Sequence, residues 1–148
     1  MEQHIKYMIS QVGSEEKLEE ALNERLASLI ANDLTKPGLG NIDLHKAREL
    51  IMDAGAVLLD VRPAAKVEGE NAEEAGIKNA YYMPYPEFAN YTEQLPGDRT
   101  TPVVTACLKG WFANRIMGYL EMMGYSNVYV LDTSIVNLIE AHHAHTDK

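Results

Sequence analysis

Residues 101–115 contain a short strand pattern that runs directly into a helix pattern. Val103–Ala106 is a continuous apolar and β-branched run behind a proline, which predicts a buried strand. The run ends at Cys107, the only cysteine of the chain, and a helical pattern begins at Phe112 or Ala113. A strand that feeds a helix at once is typical of α/β proteins, and in open sheets of that kind ligands bind at the carboxyl ends of the strands. Cys107 is therefore the first candidate for a functional residue.

The same position favours a reactive thiol. If residues 108–112 wrap around Cys107, their N–H groups and the free N–H groups of the following helix converge on its sulfur. Both those amides and the helix dipole favour negative charge, and therefore the nucleophilic thiolate. Lys109 adds one positive charge nearby. A free cysteine is equally often a small buried hydrophobic residue, and position alone does not decide between the two.

Helix and strand patterns alternate along the rest of the chain. Further strand patterns occupy residues 56–59, 81–82 and 127–131, and further helix patterns occupy residues 44–53 and 134–143. Alternation of this kind implies right-handed crossovers between parallel strands. We therefore predict an α/β fold with an open, mostly parallel sheet of about five strands and helices on both faces.

The first forty residues form a different pattern. Two amphipathic helical stretches are separated by Gly13, and Ser14 is a good N-cap for the second. The breaker at residues 37–40 predicts a boundary, which divides the chain into an N-terminal helical extension, 1–40, and a main domain, 41–148. An isolated amphipathic helix must cover its apolar stripe. The extension therefore packs on its own domain, or forms the face for a protein partner or a homodimer.

Composition excludes several classes of partner. The net charge of −9 and the pI near 4.9 argue against binding to nucleic acid or to an anionic membrane surface. No apolar run is long enough to span a membrane, and the first residues lack the pattern of a secretory signal. One cysteine cannot form an internal disulfide, so the expected location is cytoplasmic.

A histidine cluster near the C-terminus invites a metal interpretation. His142, His143 and His145 follow the last helical pattern. A solvated helix end, where cations meet the negative end of the dipole, is the favoured alternative. We predict no metal site and no cofactor.

Four stretches resemble signature segments of the rhodanese-like domains. They are residues 58–62, which end in Asp60-Val61-Arg62, residues 75–84, residues 107–113 with a glycine three positions after the cysteine, and residues 124–131. The resemblance covers about residues 41–140. It implies the rhodanese-like fold, in agreement with the pattern of strands and helices.

The resemblance also implies a function. Rhodanese-type sulfurtransferases move a sulfane sulfur from a donor, thiosulfate or a persulfide, to a thiol or cyanide through a cysteine persulfide. The implied catalytic residue is Cys107, and the implied partners are a small sulfur donor and a thiol acceptor. Asp60 and Arg62 would be structural supports. The implied substrate-binding residues are Leu108, Lys109, Gly110, Trp111, Phe112 and Ala113 of the loop, together with Lys66, which has the spacing of a pocket arginine in thiosulfate sulfurtransferases.

Two departures qualify the expected substrate. Many loops of the family carry arginine at the positions of Leu108 and Phe112, so a dianion such as thiosulfate would meet fewer cations here. Trp111 and Phe112 either fill core space or make an apolar lip that favours a bulkier or protein-bound persulfide donor. We therefore expect poor turnover of thiosulfate.

Two other classes of function are open. One is a rhodanese-like binding or sensor module with little catalytic activity. The other is a cysteine-dependent phosphatase or arsenate reductase, whose loop needs an arginine six positions after the cysteine. Ala113 occupies that position, and Arg115 lies two residues too far along. The second class is therefore disfavoured.

Overall fold

The computed structural model describes residues 2–146, which divide into two compact units, 2–39 and 40–146. Met1, Asp147 and Lys148, which belong to the two predicted regions, lie outside the described residues. The first unit is a pair of helices that pack against each other, α1 (Glu2–Val12) and α2 (Glu15–Asp33). Gly13 joins them in a left-handed conformation (φ 104°), and the Ser14 side chain accepts a hydrogen bond from the N–H of Lys17. The predicted end of the first helix at Gly13 and the predicted N-cap at Ser14 are confirmed.

The first unit leaves much of its apolar surface exposed. Two helices of this length cannot form a core of their own, because within the unit each can bury its stripe only against the other. The large exposed apolar side chains of α1 and α2 are Ile5, Tyr7, Met8, Val12, Leu22, Leu26 and Ile30.

The second unit contains a five-stranded parallel sheet. Its strands are β1 (Asn41–Ile42), β2 (Val57–Asp60), β3 (Ala80–Tyr82), β4 (Val103–Ala106) and β5 (Val128–Leu131), in the order β1-β5-β4-β2-β3. All four pairings are parallel, which confirms the predicted α/β sheet. The pattern of apolar residues did not indicate β1, because a strand of two residues has no periodicity to detect.

Three helices cover the sheet. They are α3 (Leu44–Asp53), α4 (Trp111–Met122) and α5 (Ile135–Thr146), with shorter 3₁₀ segments at Pro37–Gly40, Ala64–Lys66 and Tyr85–Gln94. Asp43 caps α3 by accepting a hydrogen bond from the N–H of Lys46 at 2.8 Å, as its position predicts. Gly55 and Gly124 follow the ends of α3 and α4 with positive φ, which lets the chain reverse there.

Alternation along the central strands separates two apolar clusters. Val103 and Cys107 belong to the cluster that contains the buried face of α4, whereas Val104 and Ala106 belong to the cluster that contains α3 and α5. Successive side chains of a strand point to opposite faces, so this division follows from the pleat. Cys107 therefore lies on the α4 side of the sheet, at the carboxyl end of β4.

Thr105 joins β4 to α4. Its hydroxyl is fully buried and lies 3.0 Å from the carbonyl oxygen of Ala113 and 3.2 Å from that of Tyr129. A buried hydroxyl that donates to a helix carbonyl fixes the distance between the first turn of α4 and the strand below it. The hydrogen bond from Thr105 thus fixes the first turn of α4 to the core of the second unit.

Replacing Thr105 with valine should destabilise the protein by about 1–2 kcal/mol, because buried carbonyls lose their donor while the side-chain shape is kept. The midpoint of thermal unfolding should fall by roughly 2–4 °C per kcal/mol, measured by circular dichroism. Thr92→Val is the matched control, because the Thr92 hydroxyl is exposed and makes only a long contact of 3.5 Å. Equal midpoints for the two variants would contradict the role given to Thr105.

Candidate active site

Cys107 ends the central strand and is the starting point of the site. Its side chain is 2% exposed, and its sulfur accepts a hydrogen bond from the backbone N–H of Gly110 at 3.0 Å. Gly110 immediately precedes α4, so the sulfur lies close to the N-terminal end of that helix. The amide and the helix dipole both favour negative charge on the sulfur.

The loop adopts this geometry because of Gly110 and Asn114. Gly110 has φ +85°, a left-handed conformation that side-chain-bearing residues rarely adopt. The backbone N–H and the side-chain amide of Asn114 both donate to the carbonyl oxygen of Gly110, at 2.9 and 2.8 Å. Asn114 was not among the predicted site residues, and its position in the first turn of a helix gave no sequence signal of this contact.

A pocket with a volume of about 200 Å³ opens beside Cys107. The residues that line it are Arg62, Pro63, Lys66, Cys107, Leu108, Lys109, Trp111 and Phe112. Lys66 is thus brought to the same pocket as the loop, across a long separation in sequence. Gly110 and Ala113 are buried and do not line the pocket; they contribute backbone groups to the loop and to the contact with Thr105.

The two aromatic residues of the loop differ in environment. Trp111 is 72% exposed, and the Lys109 Nζ lies 5.5 Å from the centre of its ring. Phe112 is half-buried and packs on the core, with its ring centre 4.8 Å from that of Tyr85. The interpretation as core filling therefore fits Phe112 and is wrong for Trp111, which forms an exposed apolar lip.

Asp60 and Arg62 form a buried ion pair at the end of β2. The carboxylate accepts hydrogen bonds from Arg62 Nε at 2.9 Å and Nη2 at 2.7 Å, and from the backbone N–H of Ala72 at 3.1 Å. Arg62 Nη2 also lies 3.3 Å from the carbonyl oxygen of Glu70. One carboxylate thus holds the strand end, the guanidinium and the loop before β3 together.

Tyr82 completes the support on the β3 side. Its hydroxyl donates to the carbonyl oxygen of Arg62 at 3.0 Å. Partial burial, and after it the negative charge of Asp60, raise the pKa of Tyr82 above its ordinary value. The phenol therefore stays protonated and keeps donating over the physiological range of pH.

The remaining candidates lie outside the pocket. Arg115 is exposed and does not line it, which agrees with the disfavoured phosphatase interpretation. His143 Nε2 contacts the Glu70 carboxylate, and the His143 ring centre lies 5.5 Å from that of His142. No group of three or more histidine, cysteine or acidic side chains within residues 2–146 is arranged to hold a metal ion.

Comparison with known proteins places the chain in a family. The family model of the rhodanese-like domain matches residues 43–141, more than half of the chain. The chain belongs to the rhodanese-like domain family. That assignment confirms the resemblance found in the sequence, and it covers β2 to β5 and the Cys107 loop. No curated protein matches the chain significantly.

A solved structure shares the fold of this rhodanese-like chain at low identity. The homodimeric polysulfide-sulfur transferase of Wolinella succinogenes is 20% identical, with a TM-score of 0.54, over 86% of this chain and 88% of that one. A protein from Lactobacillus plantarum is 21% identical, with a TM-score of 0.46, over 81% and 95%. Within the described residues, every helix is too short or too polar to cross a membrane.

Replacing Gly110 with alanine should weaken both the fold and the thiol environment. The new Cβ has room, since its nearest neighbour is Asn114 Nδ2 at 3.5 Å, but the positive φ costs an alanine about 1–2 kcal/mol. Relief of that strain should move the amide away from Cys107 and slow alkylation of the thiol by iodoacetamide at neutral pH.

Gly97→Ala is the control for this variant, because Gly97 has open space around it and no positive φ. Its unfolding midpoint and alkylation rate should match those of the parent. An unchanged alkylation rate in a folded Gly110→Ala protein would show that the amide does not control the thiol.

Proposed function

We propose that this rhodanese-like protein is a sulfurtransferase that carries sulfane sulfur as a persulfide on Cys107. The observation that supports this best is the hydrogen bond from the Gly110 N–H to the Cys107 sulfur, at the N-terminal end of α4 and beside a pocket. An amide aimed at sulfur stabilises a thiolate before the reaction and a charged persulfide after it. A merely structural cysteine needs neither the donor nor the pocket.

The proposed reaction has two displacements. The Cys107 thiolate attacks the outer sulfur of the donor, the S–S bond of the donor breaks, and the leaving group departs with the electron pair. Sulfite is the leaving group from thiosulfate, and a thiolate is the leaving group from an organic persulfide. An acceptor thiolate or cyanide then attacks the terminal sulfur, and the Cys107 thiolate is restored without net oxidation.

The pocket favours an anionic donor with an apolar body. Lys66 and Lys109 are among its lining residues and add positive charge near a pocket whose own surface is almost entirely apolar. Leu108, Trp111 and Phe112 provide apolar walls beside them. Organic or protein-bound persulfides fit this combination better than compact thiosulfate. Polysulfide, which the Wolinella succinogenes protein of the same fold uses according to its name, is a further donor to test.

Intact-mass measurement after incubation with a donor tests the proposal. The protein should gain one sulfur atom from thiosulfate, from glutathione persulfide or from polysulfide, and cyanide should remove it. The gain from glutathione persulfide should be faster than that from thiosulfate by about tenfold or more, the factor that one missing charged hydrogen bond produces.

Cys107→Ser is the control, because serine keeps the shape of the site without the sulfur nucleophile. It should gain no sulfur from any donor. If the parent protein also gains none, while remaining folded by circular dichroism, the sulfurtransferase proposal is wrong.

A binding or sensor module is the second candidate, and the burial of Cys107 favours it. A side chain that is 2% exposed leaves little sulfur surface for an incoming donor. The mass experiment separates the two candidates, because a binding module would hold a ligand in the pocket without acquiring sulfur. We also propose a cytoplasmic location, since a lone thiol nucleophile works in a reducing compartment.

We propose further that the N-terminal helices form a homodimer. Leu22, Leu26 and Ile30 recur every four residues on α2 and are all exposed, as an apolar helix face for a second copy would be. The sulfur transferase of the same fold is itself a homodimer by name. The remaining exposed surface of α2 is rich in glutamate, which limits association to this stripe.

Leu26→Lys should convert the dimer into a monomer, because a charge at the centre of the stripe cannot be buried against its symmetry mate. Sedimentation at micromolar concentration measures the change. Met52→Lys is the matched control, because Met52 of α3 is also 53% exposed and lies outside the stripe. A parent protein that sediments as a monomer, or a Leu26→Lys protein that stays dimeric, would contradict the proposal.

A further inference from the structure

Arg62 has a place in the pocket that a structural role does not explain. Its side chain is 1% exposed, yet it lines the pocket together with Cys107. Asp60 holds one edge of the guanidinium through Nε and Nη2. The only part of the residue that is open to anything outside the protein therefore belongs to the pocket wall.

The Nη1 group of the guanidinium is unused. Arg62 Nη1 carries two N–H donors and makes no hydrogen bond to any atom of residues 2–146. Donors that protein atoms leave unpaired are satisfied by water or by a ligand. An unused pair of donors in the wall of a pocket indicates a ligand that supplies the acceptor.

The ion pair with Asp60 determines what that ligand is. The carboxylate neutralises much of the guanidinium charge, so the group can be buried, and it fixes the orientation of the planar fork. The Asp60–Arg62 pair therefore acts as a fixed dipole, and Nη1 with its two N–H donors is at the positive end of that dipole. Such an end suits an acceptor with a single negative charge better than a dianion.

We propose that Arg62 binds the anionic end of a singly charged sulfur donor through Nη1. Arg62 would then replace the arginines that many loops of the family carry at the positions of Leu108 and Phe112, but it would act from the β2 side of the pocket. The assignment rests on the proposed function for the identity of the ligand as a sulfur donor. The existence of the anion site rests on the geometry of Arg62 alone.

Nuclear magnetic resonance of the arginine side chains tests the site directly. The sample is Cys107→Ser protein with isotope-labelled arginine, so that no sulfur transfer can occur. Methanesulfonate is the probe, as an unreactive monoanion, and dimethyl sulfone is its neutral counterpart. The Arg62 signals, identified by their absence in an Arg62→Lys spectrum, should shift and saturate with methanesulfonate and should not move with dimethyl sulfone.

Affinity provides the second measurement. Arg62→Lys keeps a positive charge beside Asp60 but loses the fork, and it should weaken methanesulfonate binding by about tenfold or more. If that variant does not fold, the Arg62 side-chain signals are assigned through bonds from the backbone resonances of the Cys107→Ser protein, and its spectra decide alone. Arg62 signals that stay fixed, whether other signals move or none do, overturn the proposal. So does equal affinity in a folded Arg62→Lys protein.

The outcome is separable from that of the proposed function. Sulfur loading of the parent protein is measured independently by mass. Loading without a response of Arg62 overturns only the anion site. A response of Arg62 without loading overturns only the sulfurtransferase.

Discussion

The buried Asp60 carboxylate is the interaction on which the pocket depends. Burying a carboxylate costs several kcal/mol unless charge and hydrogen bonds compensate for it. Here Arg62 and the backbone N–H of Ala72 do so, and each belongs to a different wall or loop of the site. The Asp60 carboxylate therefore joins the end of β2, the segment that leads to β3 and one wall of the pocket. Loss of any partner would leave charge buried without compensation, which explains why these groups tolerate little rearrangement.

The cysteine loop is held by backbone contacts rather than by surface charges. The Cys107 sulfur accepts a hydrogen bond from the backbone N–H of Gly110. The backbone carbonyl of Cys107 accepts a hydrogen bond from the N–H of Ile135 at 2.9 Å. Thr105 holds the carbonyl of Ala113 from below. Cys107 is therefore fixed at both its side chain and its main chain. Preorganised amides of this kind need no reorganisation when negative charge develops.

Local patterns were enough to predict most of the fold. The apolar run at Val103–Ala106 and the caps at Ser14 and Asp43 depend on neighbours in sequence, and each appears in the structure as expected. The strand Asn41–Ile42 was missed because its pairing with β5 depends on residues far along the chain. Long-range geometry also explains the surprises in the site. The sequence shows that Arg62 follows a strand, but only the folded chain shows that Asp60 pairs with its guanidinium and that the residue lines the pocket.

The lip of the pocket has an optical consequence. Trp111 is the single tryptophan of the protein, and it stands exposed at the pocket with the Lys109 ammonium over its ring. An anion that enters the pocket competes for that ammonium and changes the electric field at the indole. When the light is chosen to excite tryptophan and not the eight tyrosines, the fluorescence of the unlabelled protein therefore comes from one position, beside the pocket. The emission of this one residue can therefore follow in real time the binding and transfer proposed at Cys107.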